Sequence, residues 1–233
     1  ENFDLTIIFV NYIFFLAALN FIYKIGLELK DKQAGNIAMI LFAVVPAVYG
    51  MSRQYGHQDY HIIAGITFNI FCLIKTDYFK NRKWSVIYGI SAGLGLLIKD
   101  PFLAYFFVPF AYSAIYGLIR EEKLKRKILI NTALSVVIGS LTAGCHYFRL
   151  EIIRKLWFDN HSQKVSLLEF ENIRAITTGL WEQLLSPAVF IIFFIGLVWF
   201  MIKYKGKYKN IMMSWFFVPW LGILFMGHYK IAS

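Results

Sequence analysis

The chain has 233 residues, 58% hydrophobic and 16% charged, with 23 Phe, 14 Tyr and 6 Trp. A soluble domain of this length needs more polar surface, so composition sets aside an ordinary water-soluble enzyme in favour of a polytopic membrane protein. The net charge of +10 lies between apolar runs, the pattern of loops beside anionic lipid, and this sets nucleic acid aside as a partner.

A hydrocarbon core of ~30 Å takes ~20 apolar residues per helix. Eight runs qualify or nearly do: 5–27, 34–51, 60–74, 84–98, 102–119, 128–147, 187–202 and 211–227. The expected fold class is all-α, a transmembrane bundle of about eight spanning helices. The 60–74 and 84–98 runs are short and are expected to extend into their polar flanks or to tilt. Gly89, Gly93 and Gly95 allow close helix approach. Cys72 and Cys145 lie inside apolar runs and read as small buried hydrophobes without metal-ligand spacing.

Lys and Arg set the expected topology. Basic residues cluster at 30–32, 80–83, 120–127 and 203–209, all on the side reached after the first helix. The positive-inside rule makes that side cytoplasmic and leaves both termini outside. These inner loops read as charge runs whose role is topology. The outer face then collects the unusual polar residues: the Arg53–His61 segment, Lys99-Asp100-Pro101, the 148–186 loop and His228-Tyr229-Lys230.

In the 148–186 loop, Leu150, Ile153, Leu156 and Trp157 recur at helical spacing with Arg149, Arg154 and Lys155 between them. That pattern suits an amphipathic helix on the outer leaflet, which either roofs a site or anchors the surface. A second such helix is expected within 167–185. The domain reading is one module over 1–233. The chain has no initiator Met, no basic leader and no polar tail, so a fragment truncated at both ends is expected.

The chemistry concentrates in Ser52-Arg-Gln-Tyr-Gly-His-Gln-Asp-Tyr-His61. Asp59 opens an apolar helix; it either caps that helix or serves a site by holding a divalent cation (Mg or Mn) or orienting an acceptor. His57 and His61 flank it and share a face in either an extended or a helical segment. They are secondary candidates, with Tyr55 and Lys230. Lys99 ends one helix and Pro101 precedes the next, a tight hairpin. Lys99 and Arg53 either bind a lipid phosphate or anchor their helices at the interface. No Walker motif, glycine-rich phosphate loop or Gly-x-Ser-x-Gly elbow occurs.

Two motifs carry a family resemblance. The helix ending Val-Pro-Ala-Val-Tyr-Gly-Met-Ser-Arg53, followed by a short polar stretch, Asp59 and another apolar helix, resembles the GT-C glycosyltransferases. The stretch Ser91-Ala-Gly-Leu-Gly-Leu-Leu-Ile-Lys-Asp-Pro-Phe-Leu-Ala-Tyr-Phe-Phe-Val-Pro109 resembles the "GLALLTKGP…P" hairpin of the branch holding protein O-mannosyltransferases and aminoarabinose transferases. The resemblance covers about 5–118 well. It implies a multi-pass membrane enzyme, with a prokaryotic plasma membrane favoured over the endoplasmic reticulum. It further implies a polyprenyl-phosphate sugar donor, an inverting displacement on the extracytoplasmic face, and a protein, glycan or lipid acceptor. On this pattern Asp59 matches the second-loop Asp and Lys99 the hairpin Lys that contacts the donor phosphate. Asp100 stands where the family has Gly. The family's principal catalytic Asp precedes the helix beginning near Leu5, and Glu1 and Asp4 are too close to that helix to serve.

Gly56-His-Gln-Asp-Tyr-His61 is also similar to the Gly-x-x-Asp-His-His segment of archaeal oligosaccharyltransferases, but no Trp-Trp-Asp motif accompanies it. That reading ranks second, alongside a non-catalytic transporter or flippase of polyprenyl lipids, which would need the cations but no general base.

Overall fold

A computed structural model describes residues 2–45, 59–98, 102–147 and 187–226. The described residues contain eight α-helices, one 3-10 turn and no strand. They are α1 (Asn2–Leu29), α2 (Lys32–Ala43), α3 (Asp59–Lys75), α4 (Arg82–Ile98), α5 (Phe102–Arg120), α6 (Lys125–Tyr147), α7 (Pro187–Lys203) and α8 (Lys209–Met226). Each expected apolar run holds one helix, but α2 has 12 residues and ends at Ala43, short of the expected 51, and residues 46–51 lie outside the described residues. The two short runs do extend into their polar flanks, giving α3 and α4 a length of 17 residues each. Two stretches, Ile8–Leu29 and Glu122–Gly144, are long and apolar enough to cross a membrane.

The distribution of side chains is partly inverted. Phe9, Leu16, Leu141 and Ile195 point outward at 60–65% exposure, while Asn11, Asn69, Ser91, Ser113, Asn131 and Ser135 are buried. Such a surface has no use in water and suits lipid. The buried polar groups bond across helices: Asn69 Nδ2 donates to Ser91 Oγ at 2.8 Å, joining α3 to α4, and Ser135 Oγ donates to the Ser85 carbonyl at 2.8 Å, joining α6 to α4. Interhelical bonds of this kind, with small residues between backbones, hold helices together in lipid.

The α4–α6 pair is the most extensive in the bundle. A Cβ on Gly89 would meet the Ser135 carbonyl oxygen at 2.5 Å, and one on Gly93 would meet the Gly139 oxygen at 2.7 Å. These two glycines therefore allow the close approach expected of them. In a second place, Gly26 and Gly35 meet where α1 turns into α2. Here Asp31 caps α2, its Oδ1 accepting from the Ala34 amide at 2.8 Å.

The four basic connections gather at one end of the bundle and are tied together there. Asp77, Tyr78 and Phe79 are three successive non-glycine residues with φ of 50°, 57° and 63°. L-residues adopt that conformation singly and at a cost of ~1–2 kcal/mol each. Thr76 frames the turn: its carbonyl accepts from Asn81 N at 2.9 Å and its Oγ1 from Phe79 N at 3.2 Å. Asn131 Nδ2 donates to the Phe79 carbonyl at 2.7 Å, and Tyr78 Oη to the Lys207 carbonyl at 2.6 Å. Ion pairs complete the surface: Lys75–Glu28 at 2.9 Å, Lys80–Glu121 at 2.8 Å and Lys207–Asp77. Tyr204 Oη donates to the Leu29 carbonyl at 2.8 Å. The basic connections thus also tie the helices to one another.

This end titrates at high pH. The hydrogen bond to Glu121 raises the Lys80 ammonium above its ordinary value. Burial raises the phenols of Tyr78 and Tyr204, and pushes Tyr208 up from 10.0 to about 12. All four shifts share one sign: the folded state holds protons that the unfolded chain releases. Their contribution is complete below pH 10.0 and is lost as pH rises towards about 12. Thermal unfolding in detergent should therefore show a flat midpoint up to about pH 10 and a steep fall above it. In the same assay, Gly89→Ala should cost ~1–3 kcal/mol by overpacking. Gly196→Ala should be neutral or stabilising, because nothing among the described residues lies within 4 Å of its Cβ position.

Candidate active site

Asp59, one of the expected site residues, lies at the opposite end of the bundle. Asp59 is the first residue of α3, where the unpaired amides and the helix dipole favour a carboxylate. The next two residues fix this helix end against α1. Tyr60 is 1% exposed and meets Phe15 edge-on at 5.7 Å; the His61 ring lies 4.0 Å from that of Phe14. His61 is therefore packed against an aromatic wall. From the level of Phe14, α1 continues for 12 residues to Asn2, a rise of ~18 Å, so one wall stands above the Asp59 helix terminus. Asp4 belongs to this helical wall.

Ile98 and Phe102, the described residues on either side of Lys99, are anchored beside the same helix. Phe102, the first residue of α5, is 0% exposed. Its ring occupies the space a Cβ would need on Gly95 of α4, at 2.1 Å, and lies 3.2 Å from the Cβ position of Gly65 on α3. Ile98 Cδ1 approaches that same Gly65 position at 3.6 Å. Gly65 is six residues along α3 from Asp59, ~9 Å by helical rise. Both residues bordering the 99–101 segment are thus packed against the Asp59 helix. The latch is a phenyl ring seated on two glycines, and Phe106 backs it at 5.5 Å.

Of the candidates, the structure describes the backbone of Asp59 and the packing of His61. Arg53, Tyr55, His57, Lys99 and Lys230 lie outside the described residues, as do the Asp59 side chain and the whole 148–186 loop. Among the described residues no group of three His, Cys, Asp or Glu side chains is placed to hold a metal ion. Cys72 is fully buried, as its place in an apolar run suggested. The role of Phe102 was not foreseen. Its signal was a large aromatic directly after Lys-Asp-Pro, with glycines in both neighbouring helices.

Residues 2–143 match the family of dolichyl-phosphate-mannose-protein mannosyltransferases. That stretch runs from the start of α1 through most of α6, and the chain belongs to this family. It is accordingly a membrane glycosyltransferase of mannosyltransferase type. No curated protein and no solved structure shows a significant match.

Phe102→Ala should remove ~3–5 kcal/mol from a fully buried ring position. Urea or thermal unfolding of the detergent-solubilised protein measures it. A change under 1 kcal/mol would mean that the latch is not a packing anchor.

Proposed function

We propose that the protein transfers a sugar from a polyprenyl phosphate to a protein, glycan or lipid acceptor on the extracytoplasmic face, with inversion at the anomeric carbon. Family membership carries the reading, and the packing of Ile98 and Phe102 against the Asp59 helix supports a shared site for Asp59 and Lys99. On this reading the chain is a multi-pass bundle with its basic end towards the cytoplasm. The protein O-mannosyltransferase and aminoarabinose-transferase branch is the closer fit to the Lys99 hairpin.

In the proposed step the acceptor oxygen attacks the anomeric carbon as the carbon–oxygen bond to phosphate breaks. Polyprenyl phosphate leaves with the bonding pair and gains negative charge. Lys99 and Arg53 stabilise that charge, a contribution that grows towards the transition state. Asp59 orients the acceptor and takes its proton, or binds a Mg or Mn ion beside the phosphate. His57, His61, Tyr55 and Lys230 would line the approach.

The test is transfer of radiolabelled sugar from polyprenyl phosphate by purified full-length protein. Lys99→Ala should lower kcat by ~10²–10³ and Asp59→Asn by ~10²–10⁴. Chelation with EDTA separates the two roles of Asp59: loss of activity restored by Mg or Mn supports the metal, and no loss supports the base. Wild-type rates in both variants would overturn the site. Lipid translocation in proteoliposomes without sugar transfer would instead identify a flippase.

A further inference from the structure

A second concave site lies at the basic end, far from Asp59. A cavity of about 430 Å³ is lined by Arg82 at the start of α4, by Lys123 of the 3-10 turn Glu122–Leu124, and by Arg126, Lys127, Ile130 and Asn131 of α6. It is an open surface depression, since all four of its cations are exposed. Four cations share it. Among the described residues none of the four enters an ion pair, whereas the neighbouring Lys75, Lys80 and Lys207 are all neutralised by Glu28, Glu121 and Asp77. Of the two acids preceding Lys123, Glu121 is already engaged by Lys80. Glu122 is exposed beside Lys123 and leaves the lining strongly positive.

The pocket is also held in shape. Asn131 is 2% exposed, and its amide donates to the Phe79 carbonyl, so the floor is part of the left-handed turn's support. Three of the four cations sit on the α4–α6 pair, which is locked at Gly89 and Gly93. Leading away from it, α6 presents Ile130, Val137 and Leu141 outward at 51, 54 and 65% exposure. Their spacing of seven and four residues places them on one helix face. A basic cup opening onto an apolar stripe matches a phosphodiester headgroup with an acyl chain below it.

We propose that this cavity is a binding site for an anionic phospholipid of the leaflet at the basic end, the phosphate held by Arg82 and Arg126 and an acyl chain lying along Ile130, Val137 and Leu141. Arginine supplies planar paired donors for phosphate, and the two lysines add charge. The bound lipid would bridge α4 and α6 and clamp the end of the bundle opposite the transfer site.

The experiment is native mass spectrometry of the purified full-length protein released from nanodiscs of equal phosphatidylglycerol and phosphatidylcholine. Wild type should retain phosphatidylglycerol preferentially. Arg82→Gln with Arg126→Gln should reduce that preference by about 30-fold, since each basic residue near an anionic surface contributes on the order of fivefold. All four lining cations are exposed, so the variant should keep the wild-type unfolding temperature in lipid-free detergent. Lys203→Gln with Lys205→Gln, which removes equal charge from the same end but outside the cavity, should leave the preference intact. Equal loss in both double variants would show diffuse charge attraction and overturn the site, as would retention in the first. Millimolar inorganic phosphate should displace little lipid; full displacement would overturn the lipid in favour of a soluble anion. None of these readings involves sugar transfer, so they stand or fall separately from the catalytic reading.

Discussion

The fold depends on a left-handed turn that has no business being stable on its own. Asp77, Tyr78 and Phe79 together cost roughly 3–6 kcal/mol of backbone strain relative to ordinary conformations. What they gain is placement. The turn drives two large rings, Tyr78 and Phe79, back into the bundle, where they are 2% and 0% exposed. Phe79 meets Tyr88 and Phe110 edge-on at 5.9 and 5.5 Å, and Tyr78 lies 4.6 Å from Tyr116. Aromatic pairs of this geometry each contribute ~0.5–1.5 kcal/mol beyond burial. The backbone groups that the turn would otherwise orphan are taken up by Thr76, Asn81 and Asn131.

From that plug the remaining architecture follows outward. The turn joins α3 to α4, touches α5 and α6 through its rings and Asn131, and reaches the α7–α8 connection through Lys207. Helices fixed at one end by such a hub need less to hold the other. At the opposite end a ring on two glycines and two aromatic contacts to α1 are enough to pack Ile98 and Phe102 against the Asp59 helix. The membrane setting explains the division of labour. Where lipid surrounds the helices, apolar burial gains little, so specificity comes from close backbone approach and internal hydrogen bonds.

Much of this was legible in the residues. Helix count and class followed from apolar runs, because a hydrocarbon environment leaves few alternatives to helices. The Gly89 and Gly93 contacts were readable from spacing, and the gathering of basic loops at one end from charge alone. The left-handed turn was not, since Asp-Tyr-Phe has no glycine or asparagine to announce positive φ. Its conformation is imposed by partners 52 and 129 residues away. The Phe102 latch escaped for a similar reason: Gly95 promised close approach but could not say which element would arrive. The basic pocket was visible only as charge, because concavity depends on how α4 and α6 cross. Asp59 opens α3 as the sequence indicated, while the grouping of Asp59 with Lys99 and Arg53 rests on the motif resemblance.

The long reach of the turn also sets an order in time. A ribosome adds ~5–20 residues per second. Asn131 therefore emerges several seconds after Phe79, and Lys207, 129 residues beyond Tyr78, roughly 6–26 seconds after it. Tyr204 closes on Leu29 across 175 residues. During insertion the nascent chain carries a Tyr78 phenol without its Lys207 acceptor, and an Asp77 paired only with the neighbouring Lys80 at 3.6 Å, until the last connection is made. Completion of the basic end is thus a late event in biogenesis. A chain that stops short of Lys207 lacks the carbonyl that accepts from Tyr78, and so lacks the contact that ties the turn to the last two helices.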